Sequence, residues 1–190
     1  MPQFDSLIGF LDSRSFGTVW YWLVVIGTWS LTGRGVIGVP VEILGRARTA
    51  IQAGESESPV VLHLLDWLSL VLPRWRLGAR EGAVFLGATG FALTSLAIMG
   101  LGYGLELALA GFLLLFPFAI LFWMRVALAR RLVPLLDAAE QGAQPVPAIA
   151  AEAVRRMVIH RRLVTVLSMA AVAVTALLGA LWSLIHPYGF

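Results

Sequence analysis

The stretch GAVFLGATGFALTSLAIMGLGYGLELALAGFLLLFPFAILFWM, Gly82 to Met124, decides the fold, because in forty-three residues its only charge is Glu106. As one helix it would extend about 65 Å at 1.5 Å per residue, roughly twice the ~30 Å hydrocarbon core of a bilayer. It has to fold back. The run Gly100-Leu-Gly-Tyr-Gly104, followed by Leu105 and Glu106, is the place to do so. Glycines permit turn dihedrals, and an ionised carboxylate at mid-bilayer costs several kcal/mol. The sequence thus predicts a transmembrane hairpin of Gly82–Gly100 and Leu105–Met124, with Tyr103 and Glu106 at the far water interface.

Composition agrees with a membrane chain: 59% of the 190 residues are hydrophobic, 13% are charged, and mean hydropathy is +0.85. These values lie far from those of a soluble domain. The length suits four or five spans and leaves no room for a separate catalytic domain, so residues 1–190 read as a single membrane domain. There is no cysteine, which removes disulfides, thiolate metal ligation, iron–sulfur ligation and thiol nucleophiles together. All fourteen basic residues are arginine, which is read first as the mark of a GC-rich bacterial genome.

Upstream of the hairpin, residues 1–14 place Phe4, Leu7, Ile8, Phe10 and Leu11 on one side, which predicts an interfacial helix rather than a cleaved signal peptide. Residues 15–33 are uncharged and predict the first span, with Trp20, Tyr21, Trp22 and Trp29 as aromatic anchors. The connection 34–81 contains a loop at Gly54–Pro59, with Ser58 as N-cap and Pro59 opening a helix. That helix, 60–72, is too short to span and carries His63, Asp66 and Ser69 as a polar stripe. It is expected to lie on the membrane surface or dock on the bundle, with a re-entrant segment as the alternative.

Downstream, 125–162 predicts a helical hairpin that turns at Gly142–Pro147, with Pro134 kinking or ending its first helix. Glu152 and Arg156 stand at the favourable i, i+4 spacing. Residues 163–185 form an uncharged last span, in which Ala176 and Ala180 make a small-residue pair.

Orientation follows from counting. The connections 34–81 and 125–162 hold thirteen of the fourteen arginines, and by the positive-inside rule both are cytoplasmic. The expected architecture is an all-α polytopic protein of a bacterial inner membrane, with four transmembrane helices and both termini periplasmic.

Chemistry is sparse by comparison. His63 and His160 are expected on the cytoplasmic side and His186 near the opposite end of the last span, so no haem or metal set shares one depth. His63 with Asp66 reads as a solvated stripe, with a lipid-handling enzyme site as its weaker alternative. No Ser–His–Asp arrangement, P-loop or dinucleotide fingerprint occurs. The spans are free of ionisable groups apart from Glu106, whose functional reading is contact with a partner's periplasmic surface. No catalytic residue, cofactor, metal, nucleic-acid partner or small-molecule substrate is expected.

The arginines at the span ends are the strongest remaining signal. Arg74, Arg76 and Arg80 precede the second span, Arg125, Arg130 and Arg131 follow the third, and Arg155, Arg156, Arg161 and Arg162 precede the fourth. Each is worth on the order of 1 kcal/mol against an anionic leaflet. Arg74, Arg76, Arg80, Arg125, Arg130, Arg131, Arg161 and Arg162 are therefore the candidate contacts to phospholipid headgroups or an acidic partner.

The segments Arg14-Ser-Phe-Gly-Thr-Val-Trp-Tyr-Trp22, Gly38-Val-Pro40, Arg46-Ala-Arg48, Gly100-Leu-Gly-Tyr-Gly104 and Leu113-Leu-Leu-Phe-Pro117 together resemble a family of small alphaproteobacterial membrane proteins that often carry the label "component of SufBCD complex". The resemblance covers most of the chain. It implies the bacterial group and a link to iron–sulfur cluster assembly, and it carries over no functional residue. The resulting expectation is a non-catalytic accessory subunit or assembly factor of a larger, energy-transducing inner-membrane complex. The alternative is a small homo-oligomeric transporter or channel that depends on Glu106.

Overall fold

The computed structural model describes residues 15–55 and 57–185. The expected interfacial helix at 1–14, and His186, lie outside the described residues. The chain is all-helical apart from one minimal hairpin: α1 (Val19–Thr32), β1 (Gly35–Val36), β2 (Val39–Pro40), α2 (Val41–Gln52), α3 (Pro59–Val71), α4 (Ala79–Ala97), α5 (Glu106–Glu140) and α6 (Val146–Ile185). A 3₁₀ turn, Leu72–Trp75, follows α3, and a π-helical turn, Ile98–Gly102, extends α4. Among the described residues, three helices are long and apolar enough to cross a membrane: α4 with its π turn, α5 and α6.

The first apolar stretch differs from its expected form. Instead of nineteen helical residues, α1 has 14, because Ser15 to Thr18 form a turn closed by Thr18 N–H and Oγ1 donating to the Ser15 carbonyl at 3.1 and 2.8 Å. Pro134, expected to kink or end its helix, does not end it: α5 runs on to Glu140, with Leu128, Ala129 and Leu132 ahead of the proline buried in the core.

Two compact units divide the chain: Met1–Ser30, Ala79–Ile120 and Val166–Phe190 in the first, and Leu31–Gly78 with Leu121–Thr165 in the second. In the first, Tyr21, Val25 and Trp29 recur every fourth residue along α1 and bury themselves with Leu109, Ala110 and Leu113 of α5. Tyr21 donates its hydroxyl to the Ala110 carbonyl at 3.2 Å, and Trp29 stacks on Phe118 at 4.8 Å between centroids. Trp20, next to Tyr21, is 76% exposed, so the aromatic triplet points both inward and outward.

The chain reverses after the π turn. A Cβ on Gly100 would stand 2.6 Å from the Leu109 backbone nitrogen, so α4 and α5 approach there at a distance only glycine allows. Beyond that contact α4 has few neighbours. Gly82 is its only buried residue.

The second unit is built like a small globular domain. Val61, Leu64, Leu65 and Leu68 form one face of α3 and pack with Leu44 and Ala47 of α2, Leu128, Ala129 and Leu132 of α5, and Ala150, Ala153, Val154 and Met157 of α6. His63, Asp66 and Ser69 take the opposite, exposed face. Ser58 occupies the N-cap position of α3, but its side chain makes no capping bond. Its carbonyl instead accepts from Val61 and Leu62 at 2.9 and 3.2 Å.

The β1–β2 hairpin turns on Ile37 (φ 49°) and Gly38 (φ 79°). Positive φ at both central residues matches the twist of a two-residue hairpin, but a β-branched residue there is strained. Ile37 is almost fully buried, and that burial offsets the strain.

Candidate functional site

All the arginines in question except Arg80 of α4 fall in the second unit, where the apolar face of α6 determines which of them converge. With Ala150, Ala153, Val154 and Met157 turned into the core, Glu152, Arg155 and Arg156 are left around the rim. Glu152 accepts from Arg155 Nε and Nη2 at 2.7 and 2.9 Å and from Arg156 Nε at 2.6 Å. These bonds to two guanidinium groups pull its carboxyl down to a pKa of about 2. Arg156 Nη1 also donates to the Arg131 carbonyl at 2.8 Å, tying α6 to α5. A cleft of about 610 Å³ opens over this group, lined by Arg131, Glu152, Arg155, Arg156 and His160 among apolar neighbours.

His160 is buried, with 6% of its surface exposed. Burial first, and the Arg125 charge second, press its pKa down to about 4, so the imidazole is neutral at physiological pH. The Arg125 guanidinium lies over the Trp75 ring at 5.7 Å from the centroid, and Trp75 in turn touches Phe122.

The eight arginines singled out by sequence separate into groups. Arg74, Arg80 and Arg130 are exposed. Arg76 reaches Asp137 at 3.8 Å, with both side chains more than half exposed, a geometry that contributes little. Arg131 joins Arg156 through its carbonyl. Arg161 and Arg162 line a cleft of about 280 Å³ together with Arg48, and Arg125 borders a smaller one of about 100 Å³ beside His160 and Arg161.

Arg48, Glu152 and His160 were absent from the sequence-based set. Glu152 and Arg156 carried a local signal in their i, i+4 spacing. Arg48 carried none, since its place depends on how α2 packs. His63 and Asp66 remain exposed on α3. Among the described residues no three His, Asp or Glu side chains converge as a metal site would require.

Glu106 sits in the first unit. It is buried and accepts from the backbone N–H of Ser15 at 2.5 Å and of Phe16 at 2.7 Å through Oε1. The carboxyl expected to face water is thus engaged by the turn that precedes α1.

No protein-family model, curated protein or solved structure matches the chain. What fold and site define together is a class: an all-helical protein with, among the described residues, three helices long and apolar enough to cross a membrane and a compact, arginine-rimmed second unit.

Proposed function

We propose that the chain is a four-span protein of a bacterial inner membrane, with both termini periplasmic, serving without chemistry of its own as an accessory subunit or assembly factor of a larger, energy-transducing membrane complex. The observation that carries this reading is the bareness of its apolar helices. In the apolar window of α4 only 6% of residues are buried, and in that of α6 only 11%. Val84, Leu86 and Phe91 of α4, and Val166, Met169 and Leu177 of α6, are all more than half exposed. Such surface needs lipid or protein against it. α1, with its preceding turn, supplies the fourth span in this reading, and the 13:1 division of arginines supports the orientation.

The channel alternative is weakened by Glu106, since its carboxyl oxygen already takes two backbone donors. The resemblance to proteins labelled as a SufBCD component adds iron–sulfur assembly proteins to the hosts to look for.

The test is purification of the tagged chain from its native membrane in mild detergent, with mass spectrometry of what stays bound. A stoichiometric large complex is the expected result. Recovery of the chain only with lipid and copies of itself would overturn the reading, and flux measurements in liposomes would follow.

A further inference from the structure

The cleft lined by Arg48, Arg161 and Arg162 has no acidic residue in its wall. None of the three arginines has an ion-pair partner among the described residues. This contrasts with Arg155 and Arg156 on the same helix, which share Glu152. Three arginines drawn from two helices thus line one cleft of about 280 Å³ with no carboxylate among them, a lining that favours an anion. The rest of the lining suits a ligand with a polar head. Gly45 leaves its side of the cleft open, since a Cβ there would meet nothing within 4 Å. Leu44 and Val158 provide an apolar wall, and Thr165, whose hydroxyl donates to the Arg161 carbonyl at 3.1 Å, completes the lining.

The neighbouring small cleft shares Arg161 and Thr165 with this one, and adds Arg125, also without an acid. Guanidinium forks match the oxygens of phosphate and carboxylate groups, and at the headgroup level of a membrane phosphate is the abundant anion. Arg161 and Arg162 immediately precede the uncharged residues 163–185, which puts them at headgroup level.

We propose that Arg48, Arg161 and Arg162 form a binding site for a phosphate group, carried by an anionic phospholipid headgroup or by free phosphate. The lipid source rests on the membrane reading above and not on the accessory-subunit role.

The experiment uses the full chain, delipidated in detergent, and native mass spectrometry with phosphatidylglycerol and phosphatidylcholine in equal amounts. Inorganic phosphate is titrated separately. Wild type is expected to retain phosphatidylglycerol preferentially, and the R48Q/R161Q/R162Q variant to lose at least about tenfold of that binding. The equally discharged R14Q/R34Q/R46Q variant, which alters none of the arginines lining either cleft, is expected to stay within about twofold of wild type. Gly45→Leu, which fills the cleft and keeps every arginine, is expected to weaken binding as well and covers the case in which the triple variant fails to fold.

Phosphate binding with the same dependence on these variants, in place of lipid binding, would support the site and assign it to free phosphate. Equal losses in the two triple variants, no effect of Gly45→Leu, or binding of neither probe would overturn the proposal. Because binding is read on the isolated chain, its failure leaves the co-purification result intact, and the reverse holds.

Discussion

The carboxyl of Glu106 accepts the backbone N–H of Phe16 at 2.7 Å, across ninety positions of sequence. The same oxygen takes the Ser15 N–H. The first residue of α5 therefore serves the backbone ahead of α1, and the one acidic residue in the long apolar stretch has a structural task. Removing the acceptor would leave two buried donors without a partner, which costs about 1–3 kcal/mol for each group. Glu106→Ala should destabilise the protein by about 2–4 kcal/mol, and Glu106→Gln, which keeps a carbonyl oxygen in place, by about 1 kcal/mol. Unfolding in mild detergent checks both. Equal losses in the two variants would show that charge, rather than the acceptor, matters there.

Two glycines of the α4 strand of the hairpin should respond in opposite ways to alanine. At Gly100 the added methyl would meet the Leu109 backbone, which cannot step aside. Overpacking of this kind costs typically 1–3 kcal/mol, and about 3 kcal/mol is expected because the obstacle is main chain. At Gly87 nothing lies within 4 Å, so Gly87→Ala should be neutral or stabilise by about 0.5–1 kcal/mol through helix propensity. Melting temperatures of the two variants provide the comparison.

Stability should fall in mild acid because of His160. Its pKa drops from 6.5 to about 4 in the folded chain, so the unfolded chain takes up the proton first as pH decreases. The contribution is complete above about pH 6.5 and is lost as pH falls toward 4. Its size is about 1–2 kcal/mol once solvent screening is allowed for. His160→Gln should flatten the stability curve in this window. Glu152 acts in a separate window: its carboxyl pKa is held down to about 2 from 4.5, so what it contributes is present above 4.5 and disappears only as pH falls through 2.

The absence of cysteine makes orientation directly measurable. In single-cysteine variants, Tyr103→Cys should react with a membrane-impermeant maleimide added to intact cells with a permeable outer membrane. Arg130→Cys should react only after the inner membrane is opened. Both positions are exposed, so access rather than burial decides the outcome. The reverse pattern would invert the proposed topology.

What could be read from sequence was mostly what depends on neighbours in sequence. The reversal near Gly100–Gly104 was legible because a charge and three glycines interrupt an apolar run too long for one crossing. The exposed stripe of His63, Asp66 and Ser69 was legible from its spacing. The turn at Ser15–Thr18 was not, since nothing local marks Ser15 and Phe16 as donors to a carboxyl ninety residues away. At Pro134 the local rule predicts a kink or an end, and the end is absent because burial of Leu132 and Ala129 keeps the helix running on to Glu140. The grouping of Arg48 with Arg161 and Arg162 depends on the packing of α2, which has no signature in the order of its residues.

The Glu106 contact also sets a schedule for assembly. Synthesis at about 5–20 residues per second takes on the order of 5–20 s to travel from Phe16 to Glu106. Through that interval the first apolar helix has been made, while the group that fastens its entry turn does not yet exist. The turn ahead of α1 is completed only when α5 emerges. A nascent chain that stalls before residue 106 keeps the Ser15 and Phe16 N–H groups without that acceptor.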